Sequence, residues 1–443
     1  MSVLAESIHT FSQIWRNPQK TKDAITAFQN RKLRSIIANA YQYVKYYRQL
    51  FDAAGIKPQD IKTIEDLSLI PITSTQDYRT RPLQDVLSSK IDPKKTVKRS
   101  TSGSSGRPFT VHRTSWEDHL INFFHIRVLQ QFGVLPLDKT AHVRLVSASH
   151  QRDNIPGAVR QALGIHRVYP IHSLLHENEI IHELSLLKPD IVFGYPTVLA
   201  HIAGLIGPER SSGINPKFII AGGESLTPFR RQEIERGFGK RVFGLYGAHE
   251  FNKVAWECPD SGDYHVCDDN LVLEVLQNGR PAAVGEQGEV VATGLHSYAM
   301  PFIRYRLGDI VTRGPEVCSC GQPFSTLRAV QGRLHDYFRL PNGRLMHPDK
   351  IVVPIMESES GWFNRYELIQ EEVDRILLRI QPFQNPSEGQ LVNVKRLAMS
   401  QLPSDVEFRI EIIDEHSFKP EGKFRFCRSM VHSHTDKISW DQF

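Results

Sequence analysis

Cysteine is scarce: the chain has five in 443 residues, an odd count that excludes a disulfide scaffold. Long hydrophobic runs are missing too. No segment approaches the roughly 18 uninterrupted apolar residues of a membrane-spanning helix. The first residues, Met-Ser-Val-Leu-Ala-Glu-Ser-Ile-His, carry neither a basic flank nor an apolar run of signal-peptide length. A reducing cytoplasm is therefore the expected location. Net charge is low, with 54 basic against 49 acidic side chains, and the longest basic cluster runs only from Lys94 to Arg99. No nucleic-acid-binding surface is expected from so weak a bias. Internal repeats and low-complexity tracts are also absent.

What remains is an ordinary globular composition, 40% apolar and 23% charged, too apolar for disorder. The length is about two to three times that of a usual domain and implies a large unit with at least one smaller one. The first 60 residues read as amphipathic helix, with apolar positions recurring at threes and fours from Arg31 to Val44. From His142 the pattern alternates between strand and helix. Short apolar runs at His142–Ser147, Asp190–Gly194, Phe218–Gly223 and Arg241–Tyr246 end in glycine turns or precede helices. One helix spans Val198–Ile206, and another starts at Thr227-Pro228, a good cap followed by a good first residue. Repeated βα units predict a mainly parallel sheet, with ligands beyond the carboxyl ends of its strands. Strand-rich sequence follows at Leu271–Leu276 and Gly288–Thr293. After Gly332 comes a module of about 110 residues with a long strand at Glu372–Ile380, a helix at Leu391–Leu402 and a strand at Val406–Ile413. The expected class is α/β: a large N-terminal domain with mainly parallel sheets and a β-rich subdomain, then a small, mobile α+β C-terminal domain.

Several segments carry chemistry. Ser100-Thr-Ser-Gly-Ser-Ser-Gly-Arg-Pro108 has small residues whose backbone N–H groups and hydroxyls suit a polyanion. It lacks the Gly-Lys-Ser/Thr of a Walker loop, and a flexible Ser/Gly linker is the alternative. Gly222-Gly223-Glu224 ends a strand. Leu245-Tyr246-Gly247-Ala248-His249-Glu250 follows another and presents a flat ring and a carboxylate. Phe302–Asp309 places an acid beside two arginines, Gly332-Arg333-Leu334-His335-Asp336 marks the start of the C-terminal module, and Lys419–Arg425 is a turn-forming basic stretch. Each segment alone is a weak signal, since ion pairs and solvated lysines are common on surfaces.

The order and spacing of these six motifs resemble the adenylate-forming superfamily of acyl-CoA synthetases, adenylation domains and luciferases. Within it, the phenylacetate–CoA ligase branch and its capsular-polysaccharide relatives are the nearest in pattern, over roughly residues 30 to 435. The resemblance implies an AMP-binding domain over 1–334 and a mobile C-terminal domain over 335–443, turning about Asp336. It also assigns roles residue by residue. Thr101, Ser102, Gly103, Ser104, Ser105 and Gly106 would hold the β- and γ-phosphates of ATP. Gly222, Gly223 and Glu224 would line the adenine site, Tyr246 beside Gly247 would stack on the base, and Glu250 would bind magnesium. Asp309, with Arg333 close by, would bind the ribose hydroxyls, and Lys423 would bridge the substrate carboxylate and the α-phosphate. His249 stands where the superfamily usually has Thr or Ser, so an imidazole replaces a hydroxyl donor to the α-phosphate. The implied reaction joins an aryl or arylacetic acid to coenzyme A through an acyl-adenylate. Alternatives are transfer to a carrier-protein thiol, an alcohol or an amine, or a zinc-stabilised nucleotide-binding protein without turnover. A homodimer is left open.

Four of the five cysteines fall between Cys258 and Cys320. Cys258, His265, Cys318 and Cys320 supply three thiolates and an imidazole, the complement of a closed structural zinc site within 258–320. Some members of the capsular-type branch that the chain resembles carry a similar zinc-binding set. Buried inert thiols are the alternative, and Cys267 competes as a ligand. Cys427 reads as core. Candidates for an acyl pocket are Phe123, Phe124, Tyr195, Pro196 and Ala248, with Tyr195 favoured by its place in a βα turn.

Overall fold

The computed structural model describes residues 3–100, 109–145, 167–207, 213–333, 337–359, 361–414 and 427–431. Helices at Val3–Arg16, Lys22–Tyr43 and Lys45–Ala53 open the chain. Thr21 caps the second of these through a 3.3 Å bond from the Ala24 N–H. Its buried residues Phe28, Leu33, Ile36, Ile37 and Ala40 form the apolar stripe that the sequence periodicity predicts. That stripe packs on the strand-rich part of the chain, against Val254, Leu271, Val290 and Ile303. None of the described helices is long and apolar enough to cross a membrane.

A hairpin of β1 (Val97–Ser100) and β2 (Thr110–Arg113) precedes the main sheet. Among the described residues that sheet has twelve strands. Its first half holds β3 (Lys139–Arg144), β4 (Arg167–His172), β5 (Ile191–Gly194), β6 (Phe218–Gly222) and β7 (Val242–Ala248). These run parallel in the order β4-β3-β5-β6-β7. Helices Glu177–Leu187, Pro196–Ile206 and Pro228–Phe238 cover one face. Thr227 caps the last of these, and Pro228 stands at its first position.

The β-rich stretch does not build a sheet of its own. It continues the same sheet with β8 (Asn252–Glu257), β9 (Tyr264–Val266), β10 (Leu271–Gln277), β11 (Arg280–Pro281), β12 (Gln287–Gly294), β13 (Tyr305–Arg313) and β14 (Thr326–Arg333). All of these pairings are antiparallel. The stretch 258–320 is thus woven into the sheet. Strand β7 is the seam: parallel to β6 on one side and antiparallel to β8 on the other.

A separate apolar core follows, built on β17 (Phe363–Glu372), β18 (Arg375–Pro382), β19 (Glu407–Ile412) and β20 (Cys427–Ser429), after the small hairpin β15 (Phe338–Arg339) and β16 (Leu345–Met346). Helices Asp349–Glu359 and Glu388–Met399 complete it. The single long strand expected at Glu372–Ile380 is instead the end of β17, a turn at Val373-Asp374, and most of β18. Asp374 suits the turn, and its carbonyl accepts the Glu407 N–H at 2.7 Å, which seats β19 beside β18.

One buried ion pair joins the layers. Arg127, on the helix Ser115–Gln131, donates to Asp269 at 2.9 Å, and both side chains are fully buried. The guanidinium lies over the rings of Trp256 and Phe324, 4.7 and 5.0 Å from their centroids. Asn17 donates to the other Asp269 oxygen at 2.8 Å. Removing one partner strands a charge in an apolar interior. Arg127→Leu is expected to cost ~3–5 kcal/mol, and adding Asp269→Asn should recover part of that loss. Thermal melts of the three proteins check this; an unchanged melting temperature in Arg127→Leu would contradict it.

Candidate active site

The parallel strands end together, and the candidate residues gather where β5, β6 and β7 stop. Tyr195 begins the helix Pro196–Ile206, and Gly222, Gly223 and Glu224 follow β6. The Glu224 carboxylate accepts the Thr197 hydroxyl at 2.6 Å and the Thr197 N–H at 3.3 Å, so it caps that helix. Beyond β7 the chain turns sharply into β8. The register shifts between Tyr246 and Gly247, and a Cβ at Gly247 would lie 2.5 Å from the Asn252 carbonyl oxygen, so only glycine fits the bulge. The turn carries His249 and Glu250.

Neighbours fix Glu250 from two sides. The Tyr305 hydroxyl donates to its carboxylate at 3.0 Å and lies 2.6 Å from the Thr75 hydroxyl. Arg113, at the end of β2, donates to the His249 carbonyl and, at 3.3 Å, to the Glu250 carbonyl. The hairpin that leads into and out of residues 101–108 is thereby tied to the Glu250 turn. Thr101, Ser102, Gly103, Ser104, Ser105 and Gly106 themselves lie outside the described residues, as do Asp336 and Lys423.

Antiparallel pairing brings Asp309 of β13 opposite Arg333 of β14. The Tyr246 hydroxyl donates to Asp309 Oδ2 at 2.5 Å, and Arg333 Nε lies 3.4 Å from Oδ1. Asp309 is only 6% exposed. Burial, and then the Asp309 charge, hold the Tyr246 hydroxyl well above its ordinary pKa, so it stays a donor. Ring, carboxylate and guanidinium form one unit at the carboxyl end of β7.

A narrow recess opens beside Glu250. Phe124, Leu120, Ile121, Phe251, His296 and Ser297 are among the residues that line it. Its two walls are joined by Glu117, which completes the capping box of the helix Ser115–Gln131 with Thr114 and accepts the Tyr298 and Ala299 N–H groups at 2.6 and 2.9 Å. Of the acyl-pocket candidates, only Phe124 reaches this recess. Tyr195 and Pro196 stand on the Glu224 side, Ala248 is buried in the core that the N-terminal helices cover, and Phe123 packs edge-on against Phe11. Arg113, Glu117, His296 and Tyr305 were missed as site residues. Tyr305 sat inside a recognised motif; the others are single residues without a periodic signal.

The four ligand candidates Cys258, His265, Cys318 and Cys320 converge, with all their ligand atoms within 4.8 Å of one another. Cys258 Sγ and Cys318 Sγ are 3.9 Å apart, and His265 Nε2 is 3.2 Å from Cys320 Sγ. The loop Cys318–Gly321 closes through the Gly321 N–H on the Cys318 carbonyl, with Gly321 at a positive φ of 79°. Burial pushes His265 down to about 4, which keeps its imidazole neutral. Cys267 does not belong to this group; it packs with Trp256 and Phe324, and burial pushes its thiol up to about 12. Cys427 packs against the C-terminal core.

The C-terminal unit meets the large one on two helices. Arg365 of β17 pairs with Glu177, which also lies 3.7 Å from His201. Phe229 packs against the C-terminal core, and burial in this contact pushes Glu233 up to about 7 against the pull of Arg230 and Arg236, with Asp349 adding to the rise.

No protein-family model matches the chain. It is 28% identical to the phenylacetate-coenzyme A ligase of Escherichia coli over 351 residues, 76% of this chain and 77% of that one. The Thermus thermophilus ligase of the same name is 26% identical over 71% of this chain and 72% of its own. Protein CapK of Staphylococcus aureus is 20% identical over 87% of this chain and 86% of its own. Among solved structures, 2-hydroxyisobutyryl-CoA ligase in the postadenylation state overlays with a TM-score of 0.77 at 20% identity, covering 95% of this chain and 92% of that one. The same ligase in its thioesterification state overlays at 0.63. The fold is that of the adenylate-forming enzymes. In sequence, the chain is similar to phenylacetate–CoA ligases over most of its length.

The Glu233 geometry gives a pH dependence of known sign. A carboxyl raised above its unfolded value of 4.5 binds its proton more tightly when folded. Its stabilisation is full below that value and is lost as pH rises through about 7. Between about pH 5 and about pH 8, the melting temperature of the native protein is expected to fall more steeply than that of Glu233→Gln. Parallel melting profiles would contradict this assignment.

Proposed function

We propose that this protein activates an aryl or arylacetic acid with ATP and transfers the acyl group to coenzyme A. The observation that carries this reading is the Tyr246–Asp309–Arg333 unit standing beside Glu250 at the carboxyl end of β7, in a chain related to phenylacetate–CoA ligases over most of its length. In the first step a carboxylate oxygen bonds to the α-phosphorus and the bond to pyrophosphate breaks. In the second, the thiol sulfur bonds to the acyl carbon, AMP leaves with the bridging oxygen, and the thiol proton passes to solvent.

Each residue then has a task. Asp309 accepts from the ribose hydroxyls, with Arg333 holding its orientation. Tyr246 offers its ring to the base, while its hydroxyl anchors Asp309. Gly222, Gly223 and Glu224 border the adenine. Glu250, held by Tyr305 and Arg113, would hold magnesium, which would offset phosphate charge as two anions meet. The loop Thr101–Gly106 takes the β- and γ-phosphates, His249 lies at the α-phosphate, and Lys423 supplies a cation to the attacking carboxylate. The division at 334/335 and a hinge at Asp336 would let the C-terminal unit turn between the steps. The recess with Phe124 takes the acyl group, and Ala248 and Tyr195, expected to line it, stand outside it. The cytoplasm is the compartment this reading gives it.

The Cys258–His265–Cys318–Cys320 group fits structural zinc. Two sulfurs about 2.3 Å from one metal lie about 3.8 Å apart at the tetrahedral angle, and sulfur and nitrogen about 3.5 Å apart. The 3.9 and 3.2 Å separations match that geometry. Zinc here would tie the Cys258 turn to the loop after β13 and leave no open position for chemistry.

One match favours a different acceptor. An indoleacetate–lysine synthetase of Pseudomonas savastanoi is 24% identical over 40% of this chain. An amine in place of coenzyme A would show as acid-dependent AMP release stimulated by amines and not by the thiol.

Pyrophosphate and AMP release over a panel of aryl acids, with and without coenzyme A, tests the reading as a whole. Lys423→Ala is expected to slow adenylation by about a hundredfold to a thousandfold while sparing thioester formation from a preformed acyl-adenylate. Equal loss of both steps would contradict its assigned role. Cys318→Ser is expected to lower zinc content and melting temperature together, and protein that contains no zinc after metal-replete preparation would refute the metal site.

A further inference from the structure

The recess beside Glu250 contains an imidazole that nothing above has used. His296 follows β12 and lines the recess with Phe124, Leu120 and Phe251. Among the described residues its one hydrogen bond runs from Nε2 to the Asp269 carbonyl oxygen at 2.9 Å. A carbonyl oxygen can only accept, so Nε2 carries the proton. Nδ1 is then a bare lone pair. Burial pushes the ring down to about 3, so it remains neutral and the tautomer is fixed. The Phe124 and Phe28 rings, 5.4 and 6.2 Å away centre to centre, pack with the imidazole.

The other polar groups of the recess are already engaged. Glu117 accepts backbone N–H groups from Thr114, Tyr298 and Ala299. The Asn270 amide donates to the Phe251 and Lys253 carbonyls at 2.9 and 3.0 Å. Glu250 is bound by Tyr305. Apart from the rotatable hydroxyl of Ser297, this leaves His296, in the wall of the recess, with an acceptor that no described protein group uses.

We propose that the acid activated by this protein bears a hydrogen-bond donor, a hydroxyl or an amine on its ring or side chain, and that His296 Nδ1 accepts from it. This rests on the acid-activation reading and narrows it to hydroxy- or amino-substituted aryl acids. An unsubstituted acid would cover Nδ1 without satisfying it. Sites built to bond a substrate hydroxyl reject the analogue that lacks it for that reason.

The test uses matched acids: phenylacetate and benzoate against their hydroxy and amino derivatives, followed by pyrophosphate release. For the best-placed substituent, the native protein should prefer the donor-bearing acid by about tenfold or more in kcat/KM. His296→Leu removes the acceptor and should bring that ratio towards one, whatever it does to turnover as a whole. His296→Gln retains an amide donor for Asp269 and an acceptor for the substrate, and should restore part of the preference. Melting curves of both variants show whether the fold is kept. Equal use of matched acids by the native protein, or a ratio unchanged in a folded His296→Leu, overturns the proposal while leaving acid activation intact. Pyrophosphate release with no acid of either kind would overturn the underlying reading, and this one with it.

Discussion

Asp269 is a carboxylate buried where water cannot reach it, and the architecture is arranged around keeping it partnered. One oxygen takes Arg127 and the other Asn17, while its backbone carbonyl takes His296. Next to it, Asp268 accepts the Ser325 N–H and pairs with Lys22. The turn Cys267–Asn270 thus gathers the N-terminal helices, the helix Ser115–Gln131, the start of β14 and the wall of the recess beside Glu250. A buried charge tolerates few alternative arrangements, because each leaves it unpaired. The thiol–imidazole cluster lies just across Trp256 and Phe324 from Arg127, so the proposed zinc would stiffen the platform on which that guanidinium rests.

The candidate site residues sit at the seam of the sheet. Parallel strands deliver their carboxyl ends to one edge, and β7 is the last of them. Its antiparallel partner β8 turns the chain back at once, which leaves His249 and Glu250 in the bulged turn. The antiparallel half then returns Asp309 and Arg333 to the same edge through β13 and β14. A ligand lying across this edge meets a ring and an ion pair on one side and a clamped carboxylate on the other. The change of strand direction therefore does for this protein what a change of strand order does in an open parallel sheet.

Much of this was legible beforehand. Strand-like runs ending in glycine gave β5, β6 and β7, and Thr227-Pro228 marked a helix start because capping is a local property. The order of motifs pointed to the superfamily. Partnerships were not legible, since Tyr246 and Asp309 are 63 residues apart and nothing local joins them. Glu224 read as an edge for the base and also caps a helix, a use visible only once Thr197 is beside it. The β17–β18 hairpin was run together because Val373-Asp374 is a short turn between two runs of strand-forming residues. His296 gave no signal at all, because its meaning lies in which nitrogen the Asp269 carbonyl occupies.

The central claim is that a carboxylate attacks the α-phosphorus of ATP, and the fate of one oxygen atom tests it most directly. With an acid labelled with heavy oxygen in its carboxylate, one labelled atom should leave in AMP for each thioester formed, and the pyrophosphate should stay unlabelled. Label appearing in orthophosphate, or AMP released without it, would contradict the account.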